Sequence, residues 1–175
     1  VDDEILFESN AIAEYLDEVV SPHLHPEDPI ARARNRAWTD YTADFAKAIG
    51  GGIAYVKTRE EVDKALKAAP VPLGRVEAAL AARGNDGPYF NGPNLSLVDC
   101  AYAPFLQRFT FVEHYLKSGL LDGFPHIRAW RDALLADERV TGAVPDCFAE
   151  EYRAGLRRRE SYVATLLEPE SAAAE

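Results

Sequence analysis

The feature that most constrains this chain is the run Asn94 to Phe109, NLSLVDCAYAPFLQRF, where a doubly specified helix start opens onto a helix that is apolar around most of its circumference. Ser96 precedes the apolar run and Asp99 follows three residues later. The hydroxyl can accept the Asp99 N–H while the carboxylate reaches back to the Ser96 N–H, a capping box with Asp in place of the commoner Glu. Leu95 before the cap and Cys100 at the fourth helical position supply the apolar pair of a hydrophobic staple. Val98, Ala101, Tyr102, Phe105 and Phe109 recur at spacings of three and four, with Ala103 and Pro104 filling the gap. Such a helix belongs at the centre of a helical domain, and Pro104, which lacks a backbone donor, predicts a bend in it.

The flanking segments carry their own signals. Asp28-Pro29 opens a helix expected to reach about Ile49, with Ile30, Ala33, Ala37, Trp38, Tyr41 and Phe45 on or beside one face. Gly50-Gly51-Gly52 then predicts a flexible hinge, because a phosphate cradle would need a preceding strand and a Lys-Ser/Thr pair. Thr58 with Glu61 is a second capping box, and its helix, expected to about Arg83, should kink or break near Ala69 where Pro70 and Pro72 enter. Phe124-Pro125 opens a helix to about Ala136 with Ile127, Trp130 and Leu134 inward, and Phe148 to about Leu167 reads as a last amphipathic helix. The tail 168–175 is expected to fray. At the other end, Glu4 to Phe7 predicts a short strand, and Glu8-Ser9-Asn10 opens a helix to about Val19 with Ile12, Tyr15, Leu16 and Val19 on one face. One strand cannot bury itself as a sheet, so this end calls for partners.

Charge and cysteine usage narrow the function classes. With 29 acidic against 19 basic residues and a net charge of −10, nucleic acid and anionic membrane are disfavoured as partners. No apolar run approaches the roughly 18 residues of a membrane span. Cys100 and Cys147 show neither a disulfide framework nor metal-ligand spacing, which suits a reducing cytoplasm, and Cys100 is expected to be a small buried hydrophobe. His23 and His25, in the proline-interrupted linker SPHLHPED, lack a third ligand and are expected to be exposed turn residues. His114 and His126 have no visible acid partner, and Arg157 to Arg159 read as a solvated face.

The order of the segments EILFESNAIAEYLDE, PEDPIARARNRAWTDY, YFNGPNLSLVDC and FPHIRAWRDALLADERV resembles the cytosolic glutathione transferases, with omega-like and bacterial members the nearest in character. The resemblance implies a mainly α fold: a glutathione-transferase C-terminal helical bundle over residues 21–175, and a one-strand, one-helix remnant of a thioredoxin-like domain over residues 1–20. It implies glutathione as co-substrate, its γ-glutamyl end bound at Glu8 and Ser9. The chemistry of those residues agrees, since a helix N-terminus with a free hydroxyl suits a carboxylate and Glu8 suits an ammonium. It further implies an acceptor pocket formed by Trp38, Tyr41, Phe45, Phe105, Arg108, Phe148 and Tyr152, for a hydrophobic electrophile or a mixed disulfide. A homodimer is implied, with no metal, no nucleic acid and no membrane. The catalytic Cys, Ser or Tyr is expected in a preceding segment, so these 175 residues alone are expected to be inactive. The alternative is a non-catalytic interaction module of the same fold, like those attached to translation factors and aminoacyl-tRNA synthetases.

Overall fold

The computed structural model describes residues 1 and 3–167, so the expected fraying of 168–175 lies outside the described residues. In chain order the elements are α1 (Ser9–Val19), α2 (Pro29–Ala46), a π turn (Lys47–Gly51), α3 (Gly52–Ala54), α4 (Arg59–Ala68) and α5 (Pro70–Ala81). They continue with α6 (Leu97–Leu116), a 3₁₀ turn (Leu120–Gly123), α7 (Pro125–Ala136), α8 (Glu138–Thr141), α9 (Phe148–Arg158) and a final 3₁₀ turn (Tyr162–Leu166). The protein is mainly α, as the sequence implies.

Helix α6 is the axis of the bundle, packing against α2, α7, the π turn and the final 3₁₀ turn. Val98, Tyr102, Leu106, Phe109 and Val112 are each at most 1 % exposed. The Ser96–Asp99 capping box forms, and its acid does more than cap. Asp99 Oδ2 accepts from the Ser96 amide at 2.8 Å and its hydroxyl at 2.6 Å, while Oδ1 accepts from the Phe90 amide at 2.9 Å and Trp130 Nε1 at 2.6 Å. One buried carboxylate thus ties the incoming loop, the start of α6 and the middle of α7. Around it Tyr102 packs on Trp130 at 5.2 Å and on Phe45 at 4.8 Å between ring centroids, in the tilted and edge-on geometries aromatic pairs prefer. Helix α6 runs unbroken through Pro104, whose carbonyl accepts from the Arg108 guanidinium at 3.1 Å.

The second capping box also forms, Thr58 receiving the Glu61 amide at 3.2 Å and Glu61 receiving the Thr58 amide at 3.0 Å. The long helix predicted after it divides at Ala69, with Pro70 as the first residue of α5, the position where a missing N–H costs nothing. Helix α7 is capped from a distance: Glu77 on α5 accepts from the His126 and Ile127 amides, both at 2.9 Å, and from His126 Nδ1 at 2.7 Å. His126 therefore does have an acid partner, 49 residues away in sequence.

Several expectations are corrected. The strand predicted at 4–7 does not form, since no segment among the described residues pairs with it; Ile5 and Phe7 stand 87 % and 75 % exposed. On α1 the apolar face is uncovered, with Leu16 and Val19 exposed and only Asp17 buried. On α2, Ile30, Ala33 and Ala37 face solvent, while Phe45 turns inward as expected and is joined there by Asn35 and Thr42. The glycine run is no open hinge: it continues α2 as a π turn, and a Cβ at Gly52 would lie 2.6 Å from the Lys47 carbonyl oxygen. The last helix ends at Arg158, ten residues from its start, and a 3₁₀ turn around buried Val163 follows it within the described residues.

Candidate functional site

The site begins where the extended chain enters α1. Glu8 is held at φ 67° and ψ 121°, a region that costs a non-glycine residue about 1–3 kcal/mol and that concentrates at ligand-handling positions. Its side chain makes no cap, so among the described residues the first amides of α1 are left without an intrahelical partner and without a side-chain substitute. Ser9 follows as the first helical residue, exposed, with no hydrogen bond to its hydroxyl among the described residues. Asn10 donates to Asp40 Oδ1 at 2.9 Å, fixing this end of α1 against α2.

Behind Ser9 lies a cavity of about 410 Å³ between α1, α2 and α6. Ser9, Asn10, Glu14, His25, Asp40 and Thr42 supply its polar wall, and Ala43, Leu97, Ala101 and Phe105 its apolar wall. Cys100 opens onto it too, so the expectation of a buried apolar cysteine is corrected. Its thiol pKa is nonetheless pushed up, by the partial enclosure of the sulfur and by the Asp99 carboxylate.

His25 is the residue the sequence did not reveal. It is not an exposed turn residue but 93 % buried by its 7 % exposure. The Asp17 carboxylate accepts from the Leu24 and His25 amides and folds the linker back, carrying the ring into the α1–α2 cleft. Neither ring nitrogen has a hydrogen-bond partner among the described residues, and Nε2 stands 4.0 Å from Glu14 Oε1. Burial lowers the imidazole pKa from 6.5 and outweighs the opposing pull of Asp17 and Glu14. Glu14 in turn holds Arg36 through two hydrogen bonds.

The residues expected to form an acceptor pocket are dispersed. Phe105 lines the cavity that contains Ser9. Phe45 is fully buried in the core and offers no surface to a ligand, which corrects its expected role. Trp38 packs on Tyr41 and Phe90. Tyr41 opens instead onto a second cavity of about 640 Å³ between α2, α4 and α5, where its hydroxyl donates to the Pro72 carbonyl at 3.4 Å. Arg108, Phe148 and Tyr152 do come together, the guanidinium 5.8 Å above the Phe148 ring and that ring stacked on Tyr152 at 5.8 Å with 6° between planes. Phe111 closes this cluster from α6, 5.2 Å from Tyr152.

Comparison with known proteins agrees with the fold. Residues 58–133 match the family described as glutathione S-transferase, C-terminal domain. The chain is 36 % identical over 129 residues to glutathione S-transferase L3 of Arabidopsis thaliana, covering 73 % of this chain and 51 % of that protein. It is 29 % identical over 152 residues to glutathione S-transferase U17 of the same plant, covering 82 % and 66 %. Among solved structures, the Tau class enzyme of the mango Mangifera indica superposes with a TM-score of 0.72 at 26 % identity, over 91 % of this chain and 73 % of that one. The trimeric glutathione transferase TDR1 of Leishmania shares the fold at a TM-score of 0.75 and 23 % identity, over 90 % and 35 %. The family match, the plant relatives and the structural neighbours support the cytosolic glutathione transferase superfamily, and the bundle matches the helical C-terminal domain of that fold. It spans about half the length of the curated relatives it first matches.

Proposed function

We propose that this chain is the helical, acceptor-binding part of a cytoplasmic, homodimeric glutathione transferase, with residues 1–20 the end of its thioredoxin-like domain. The γ-glutamyl end of glutathione sits at the start of α1. Its carboxylate takes the unpaired amides and the Ser9 hydroxyl, and Glu8 meets its ammonium. The glutathione thiolate attacks an electrophilic carbon and expels its leaving group, or attacks a mixed disulfide and releases the other thiol as thiolate. The group that activates the thiol lies outside these residues, so the 175-residue chain is inactive alone. Phe105 and the Arg108–Phe148–Tyr152 cluster supply apolar and cationic surface to the acceptor.

The observation that carries this reading is the free Ser9 hydroxyl, beside strained Glu8, on the same cavity as Phe105. Calorimetric titration with glutathione is the test: saturable binding that weakens at least tenfold in Ser9→Ala supports it, and binding unchanged by that substitution removes it. A second reading, a non-catalytic interaction module, draws on the exposed apolar side chains Ile5, Phe7, Leu16, Val19 and Val20. A stable protein complex that forms through this face, in a chain that does not bind glutathione, would favour it.

A further inference from the structure

In a chain with 29 acidic against 19 basic residues, a guanidinium that meets no carboxylate stands out. Six arginines do meet one: Arg32, Arg36, Arg59, Arg128, Arg131 and Arg139. Arg108, Arg153 and Arg159 form no ion pair among the described residues, and each lies over an aromatic ring instead. The guanidinium of Arg108 is 5.8 Å from the centre of the Phe148 ring, that of Arg153 5.2 Å from Phe111, and that of Arg159 4.9 Å from Tyr55.

Those three rings surround one side chain. Tyr152 stacks on Phe148, meets Phe111 edge-on at 5.2 Å, and has Tyr55 beside its hydroxyl. The charged side chains that act on this hydroxyl are Arg108 and Arg159; burial outweighs them and holds its pKa above the ordinary tyrosine value, so it stays a neutral donor. Each guanidinium spends an N–H locally, on the Pro104 carbonyl, the Tyr115 hydroxyl and the Gly155 carbonyl in turn, and keeps most of its donors free. Arg108, Phe148, Tyr152 and Arg153 are half-buried and Arg159 is exposed, so the patch is open to solvent. Glu150 and Glu151, in the first turn of α9, form no ion pair with these arginines among the described residues. On α6, Arg108 follows Phe105 by three residues and shares its face, so the patch continues the apolar wall of the Ser9 cavity.

We propose that this patch selects, as the transferase's acceptor, an aromatic compound bearing a carboxylate, its ring against Phe148 and Tyr152 and its carboxylate held by Arg108 and Arg159 beside the Tyr152 hydroxyl. That the ligand is the acceptor rests on the reading above; that an aromatic carboxylate binds rests on the patch. A guanidinium over a ring can still give a carboxylate two N–H bonds at once, a charge-assisted contact that a neutral ligand of the same shape does not match.

The test is a titration of isotope-labelled 175-residue chain with 2-naphthoate and, as the neutral analogue of the same shape, 2-naphthamide. The carboxylate is expected to bind saturably, to shift the ring resonances of Phe148 and Tyr152, and to bind more weakly as salt is raised. The amide should bind at least tenfold more weakly. Arg108→Gln and Arg159→Gln should each weaken carboxylate binding at least tenfold while leaving amide binding unchanged, a pattern that a loss of folding would not give. No saturable binding, equal affinity for the amide, shifts centred on the Tyr41 cavity instead, or full carboxylate binding in both variants overturns the proposal. A separate titration with glutathione keeps the two readings apart. Glutathione binding without naphthoate binding removes this inference and leaves the transferase reading; naphthoate binding without glutathione binding removes the transferase reading and leaves the carboxylate site.

Discussion

Two buried titratable side chains, Asp99 and His25, mark two regions built on opposite principles. Asp99 is fully buried and accepts from four donors, so the junction of the 89–92 loop, α6 and α7 is closed and satisfied. His25 is buried with no hydrogen-bond partner for its ring nitrogens among the described residues, and the other buried side-chain atoms there that lack one, Arg32 Nε and Asn35 Nδ2, also belong to the α1–α2 region. The same region carries strained Glu8 and the exposed apolar face of α1. The contrast separates what holds the bundle together from what remains available to bind, and substitutions can break or sharpen it.

The largest expected effect is at the closed end. Asp99→Ala leaves the Trp130 indole and the Phe90 amide as buried donors without acceptors, each costing about 1–3 kcal/mol, so urea unfolding should show a loss of roughly 4 kcal/mol. A loss below about 1 kcal/mol would mean that the carboxylate is not the tie described.

Next comes Glu77→Gln, which keeps the shape but removes the charge that caps α7, with an expected cost of about 1–2 kcal/mol. Burial raises the Glu77 pKa, but the His126 and Ile127 amides and the His126 ring lower it further, so the net shift is below 4.5. A depressed carboxylate pKa means that this stability is present above pH 4.5 and is lost as pH falls through the folded value. Acid titrations of the variant and its parent should therefore converge below that window.

Thr58→Ala should cost about 1 kcal/mol by removing one limb of the exposed capping box, read from the shift in denaturant midpoint.

The smallest effect near neutrality, and the most telling in acid, belongs to His25→Leu. The groups facing the ring are Asp17 and Glu14 of α1, which favour its charge, and Arg32 and Arg36 of α2, which oppose it; burial dominates and depresses the pKa from 6.5. The unfolded chain thus takes up the proton first, and the wild type should lose stability as pH falls from 6.5 through the folded value. The leucine variant should lack that component, and identical acid profiles would show that the ring is not buried as described.

Much of the closed region is legible in sequence because its devices are local. A capping box spans three residues, and Pro70 announces its own break, so Thr58–Glu61, Ser96–Asp99 and the division at Ala69 follow from short patterns. What escapes is long-range: the Glu77 cap on α7, the Trp130 bond to Asp99, and the Tyr89 hydroxyl donating to Asp137 at 2.6 Å across 48 residues. Composition misleads at the glycine run, where Gly52 is needed for close approach to Lys47 rather than for freedom. At the candidate site the Ser9 helix start is readable, whereas His25 is not, because the polarity of SPHLHPED suggests exposure and only the Asp17 carboxylate reverses it. Periodicity also cannot distinguish Phe45, sealed in the core, from Phe105 on a cavity wall.

The central claim is that the α1 entrance binds glutathione while the Asp99 knot only supports the fold. It is tested most directly by following backbone and indole N–H resonances of the 175-residue chain during addition of glutathione. The account predicts saturable shifts at the Ser9 and Asn10 amides with the Trp130 indole unmoved; shifts centred on Trp130, or none at Ser9, would contradict it.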